Sequence, residues 1–167
     1  MPEALPPERL QPALLDRLID DEPDAMTDSY GDRMMTMPKL REALRRDLEW
    51  LINASAATRR NPVHQFPLAA RSVLNFGLPP ITGATSILHR GDHLEASLHE
   101  TIDSFEPRIL RDSLEVSVNT NDVGDVGEID IEITGEFCPL PIPEVLYIRA
   151  VQEIDAGRFQ IKDRVDG

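Results

Sequence analysis

At Pro107 the spacing of apolar residues changes. Before it, KLREALRRDLEWLINA places Leu40, Leu44, Leu48 and Leu51 on one stripe, and Leu94, Leu98, Ile102 and Phe105 form a second stripe that runs into the proline. After it, LEVSVNT alternates with Leu114, Val116 and Val118 on one side. EIDIEIT alternates with Ile129, Ile131 and Ile133 opposite Glu128, Asp130 and Glu132. Helical periods followed by strand periods predict an α+β fold, with N-terminal helices packed on a small, mainly antiparallel C-terminal sheet.

The breaks between these segments divide the chain further. Pro2, Pro6 and Pro7 make residues 1–12 an extended lead, residues 13–163 form one domain, and 164–167 are a tail. Leu10, Leu14, Leu15, Leu18 and Ile19 predict a short amphipathic helix ending near Asp20, with Pro12 in its first turn. DDEPDAMTDSYGDRMMTM has no periodicity and reads as a long loop. The long helix runs from Pro38 to about Ala54, with Arg45, Arg46 and Asp47 on a solvated face. LAARSVLNF reads as a shorter helix closed by Gly77 in the left-handed conformation, and GLPPITG as a rigid turn without phosphate-loop spacing. Asp92, with Glu95 three residues on, marks the start of the next helix. NDVGDVG turns a first hairpin, and VLYIRAV and RFQIKD form a second after the CPLPIP corner.

Charge and composition exclude several functions. Lys plus Arg total 17 against 30 Asp plus Glu, and a net charge of −13 repels nucleic acid and anionic lipid. No apolar run reaches the ~20 residues that span a bilayer. MPEALPPERLQP lacks the basic start and apolar run of a secretion signal, so the chain reads as cytosolic. The single cysteine, Cys138, forms no internal disulfide and has a packing role. His89 and His93 lie four apart, but a helix starting at Asp92 leaves His89 outside it, so they do not form a metal site. No GxSxG element organises a nucleophile, and no cofactor is implied.

SFEPRIL, residues 104–110, is the remaining candidate. Pro107 pushes Glu106 out of the helical conformation, and an exposed acid at a helix C-terminus costs about 0.3–1 kcal/mol against the dipole. Arg108, two residues on, compensates it. Three readings follow: a helix stop with a solvated ion pair, a glycosidase acid, or a rigid interface corner. A glycosidase requires a second carboxyl group ~5–9.5 Å away across a sugar cleft. With 5% aromatic residues the chain gives little sign of such a cleft.

The order of LLDRLID, LREALRRDLEWLIN, SVLNFGLPPITG, FEPRIL and the terminal GRFQIKD resembles the TssE family, the baseplate component of bacterial type VI secretion systems, similar to wedge proteins of contractile-tailed phages. The resemblance implies a non-enzymatic subunit on the cytosolic side of the envelope complex that docks in the baseplate wedge and initiates assembly of the contractile sheath. Glu106, Pro107 and Arg108 become the wedge-binding element, with TssF and TssG as partners and TssK as a further candidate. Strands carrying Val145, Tyr147, Arg149, Phe159 and Ile161 become the template for pairing with the sheath subunits TssB and TssC, since an open sheet edge accepts an added strand. Pro80 and the NASAATRRNP segment depart from the family pattern, both in loops. The alternatives are a peptidoglycan muramidase-like hydrolase using Glu106 and a stand-alone acidic adaptor.

Overall fold

A computed structural model describes residues 13–19, 36–57, 61–80, 87–123, 126–137, 144–153 and 158–162. The lead 1–12, most of the 21–37 loop, the CPLPIP corner with Cys138 and the 164–167 tail lie outside these residues. Four α-helices precede four strands among them: α1 Leu14–Leu18, α2 Met37–Asn53, α3 Pro67–Ala70, α4 Ile87–Phe105, β1 Glu115–Val123, β2 Val126–Phe137, β3 Glu144–Glu153 and β4 Gln160–Lys162. The strands form one antiparallel sheet in the order β1-β2-β3-β4. The α+β expectation holds.

Helix α2 starts where Thr36 accepts a hydrogen bond from the Lys39 N–H, with Pro38 in the first turn. Its leucine stripe is buried, and Leu44 and Leu48 are fully shielded. Helix α4 buries Leu94, Leu98 and Ile102 on the same core. The sheet answers with Ile131, Ile133, Leu146, Ile148 and Ala150, register partners that share one face. The other face carries the alternate set, where Arg149 grips Asp130 and the Tyr147 hydroxyl donates to Glu132 at 2.9 Å.

Four local expectations are corrected. Helix α4 begins at Ile87, so Gly91 lies inside it despite the roughly 1 kcal/mol a helical glycine costs. Tertiary packing outweighs that penalty: Gly91 is buried, and a Cβ placed there would meet only a Thr120 methyl at 3.9 Å. LAARSVLNF is not one helix. Ser72 accepts from the Leu74 N–H and donates to the Ala69 carbonyl, splitting it into α3 and a single 3₁₀ turn at Val73–Asn75. Gly77 has φ +113 but caps no helix; it lets Leu78 bridge to Ser55 where a Cβ would lie 2.4 Å from the Ala54 carbonyl oxygen. The amphipathic α1 also differs from expectation, because it leaves Leu14 and Leu18 exposed.

Candidate functional site

The Glu-Pro-Arg corner closes α4. The Glu106 N–H still donates to the Ile102 carbonyl at 2.8 Å, after which Pro107 has no N–H to continue the ladder. The Ile109 N–H returns to the Glu106 carbonyl at 3.2 Å, and Leu110 donates to the Glu136 carbonyl at 2.8 Å. Ile109 thereby reaches β2 over Gly135, where any added Cβ would lie 2.8 Å from the Ile109 side chain. Both ends of the corner are bonded into the body.

Its ion pair is largely shielded from solvent. Glu106 is 5% exposed, and both carboxylate oxygens accept from Arg108, at 2.6 Å from Nε and 2.5 Å from Nη2. Arg108 Nη2 also donates to Asp47 Oδ2 at 2.6 Å. Asp47 Oδ1 accepts from Arg46, whose Nη2 reaches Asp16 of α1 at 2.7 Å. Five side chains of alternating sign, Glu106, Arg108, Asp47, Arg46 and Asp16, thus join the corner to α2 and α1. The expected solvated face at Arg45 to Asp47 is corrected at Arg46 and Asp47. Arg45 does pair locally, with exposed Glu42.

Burial lowers the Arg108 pKa, but hydrogen bonds and attraction from Glu106 and then Asp47 outweigh it and leave it raised. Arg46 is raised in the same way, burial being outweighed by Asp16 and Asp47. Arg108 Nη1 is shielded and has no hydrogen-bond partner among the described residues. Such an orphan costs about 1–3 kcal/mol, which the two carboxylates offset.

An open groove of 580 Å³ runs beside the corner, lined by Leu40, Leu51, Phe76, Phe105 and Pro107, with Leu15 of α1 also in its wall. Phe76 and Phe105 meet edge to face at 5.4 Å. Trp50 also lines it, 47% exposed, with the Arg46 guanidinium 5.2 Å from its ring centroid. The arrangement suits docking of an apolar side chain against a fixed, charge-locked wall. It suits acid catalysis poorly, because Arg108 occupies both oxygens of Glu106.

The expected strand-pairing residues separate. Val145, Tyr147 and Arg149 lie on the outer face of β3, whereas Phe159, 4% exposed, packs in the core and Ile161 packs against it. The outer strands are β1 and β4. β3 has β2 along its whole length and, among the described residues, β4 at Arg149–Val151. β4 is held by a residue that periodicity does not reveal: Asn53 at the end of α2 accepts from the Phe159 N–H at 2.9 Å and donates to its carbonyl at 3.0 Å.

The helix start at Ile87 places His89 and His93 on one helix, correcting the expectation that a cap at Asp92 separates them. His93 and His99 are exposed, and no cluster of metal-ligating side chains occurs among the described residues. No helix among them is long and apolar enough to cross a membrane. A family model described as baseplate wedge protein gp25 matches residues 38–138, from the start of α2 through β2, so the whole corner lies within the match. No curated protein and no solved structure matches the chain.

Proposed function

The chain belongs to the baseplate wedge protein gp25 family, the TssE family of phage-like baseplate wedge proteins, and from that premise we propose that it is a non-enzymatic sheath initiator of a bacterial type VI secretion system. Membership supports a structural role in a baseplate, with other baseplate components as partners. In the finer reading the subunit works in the cytosol, docks between TssF and TssG with TssK nearby, and offers sheet edges to the sheath subunits TssB and TssC.

The observation that carries the docking reading is the locked corner beside an open apolar groove, inside the matched segment. Glu106 acts as a positioning residue: it fixes Arg108 and the Pro107 backbone, while Pro107, Trp50 and the groove supply contact area. An exposed aromatic beside a rigid pocket is a common interface anchor. For strand pairing, the outer edge of β4, the last strand in the sheet order, is the surface that fits an added strand.

The test is the affinity of a co-expressed TssF–TssG pair for the wild type, Glu106→Ala and Trp50→Ala, each checked by circular dichroism. We expect folded variants whose binding is weaker by at least about tenfold. Wild-type affinity in both folded variants removes the corner from the model.

A further inference from the structure

A second surface stands out in the loop between Ser55 and Leu78. Its ends are sewn together, with Leu78 donating to the Ala54 carbonyl and Ala56 to the Leu78 carbonyl, each at 2.9 Å. Inside, Ala57 donates to the Asn75 side chain at 3.0 Å, which in turn donates to the Ala70 carbonyl at 2.9 Å, and Asn61 and Ser72 cap the short turns. The described parts of this loop are bonded to one another. Yet none of its helical turns buries a residue: Phe66 is 61% exposed, Leu68 90%, Val73 82% and Leu74 76%. Single exposed leucines are ordinary, but this density on an internally bonded loop marks a contact surface.

Charge identifies the occupant. From Trp50 to Gly91 the sequence holds no Asp or Glu but carries Arg59, Arg60, Arg71 and Arg90, within a chain of net charge −13. Arg71 is exposed between the apolar positions. We infer that this loop docks an acidic amphipathic segment of another wedge subunit, whose apolar side chains cover Phe66, Leu68, Val73 and Leu74 and whose carboxylate meets Arg71. A second copy of this chain, or an anionic bilayer, meets repulsion from the rest of the molecule. A subunit already held at the Glu106 corner presents only its local acidic segment. The inference rests on the wedge reading and adds a second contact to it.

The experiment titrates the co-expressed TssF–TssG pair with wild type, Leu68→Ser/Leu74→Ser and Arg71→Glu at low and high salt. These positions are exposed, so circular dichroism and melting stay as in wild type. The double variant loses about tenfold or more in affinity, and Arg71→Glu loses several-fold at low salt and flattens the salt dependence. If both variants bind like wild type while Glu106→Ala does not, the loop inference is overturned and the corner stands. If wild type itself fails to bind, the proposed function falls and the inference with it. Binding of wild type to phosphatidylglycerol vesicles, or a dimer that dissociates in Leu68→Ser/Leu74→Ser, combined with unchanged TssF–TssG affinity, likewise overturns it.

Discussion

Arg108 holds two carboxylates from segments far apart in sequence, and that shared guanidinium makes the corner a fixed object. Removing Glu106 leaves a half-buried cation with Asp47 alone. Glu106→Ala therefore costs about 1–3 kcal/mol in urea unfolding, less than the ~3–5 kcal/mol of a fully buried pair because Arg108 keeps 25% of its side chain in water. Docking losses in this variant must accordingly be read on folded protein. The arginine itself is insensitive to pH in the working range. Its pKa is raised on folding above the ordinary arginine value, so its stabilisation is fully present below that value and is lost only as pH rises through the folded one. The stability difference between wild type and Arg108→Leu should stay flat from pH 7 to about pH 10, and a decline in that window would contradict the assignment of the lock to Arg108. The ion pair of Glu106 and Arg108 was legible from their spacing. Asp47 was not, because it is 61 positions from Arg108 and neither period nor local charge pattern encodes so distant a pairing.

Among the elements, α2 and the β1–β2 hairpin were legible because one apolar face of each is buried, and burial writes its period into the sequence. The start of α4 was not, since packing on β1 overrode the helix-breaking tendency of Gly91, and the broken LAARSVLNF segment obeys side-chain bonds of Ser72 and Asn75 rather than a period. The edge of the sheet also required the fold. Ile148 is buried on the inner strand β3, so Ile148→Pro should unfold the protein, seen as loss of the cooperative melt by circular dichroism. The clamp from Asn53 to Phe159 offers a sharper handle. Asn53→Ala leaves the Phe159 N–H and carbonyl without their side-chain partner, costing about 1–3 kcal/mol, and hydrogen exchange should show β4 opening ahead of β2. Equal protection of both strands would show that β4 is held by other means. Single cysteines at exposed Gln160 and Ser117, in a Cys138→Ser background, distinguish the two outer strands: sheath subunits should cross-link at Gln160→Cys and not at Ser117→Cys. The reverse pattern would assign the pairing edge to β1.

Across the whole molecule, the two proposed attachments fall on different elements. The corner, its groove and the arginine-bearing loop belong to the helical half, and the open strand edge to the C-terminal sheet. Asn53 links the two, because the helix that carries Asp47 and Trp50 also grips the start of β4. As proposed, the subunit joins wedge to sheath, and a net charge of −13 repels nucleic acid and anionic lipid while leaving specific contacts to local patches. The most direct measurement is electron microscopy of reconstituted TssF–TssG wedges given TssB and TssC with and without this chain, counting wedges that bear sheath. Sheath is expected on wedges that contain the chain, with little or none on those that lack it. Equal sheath on both would contradict the proposed role.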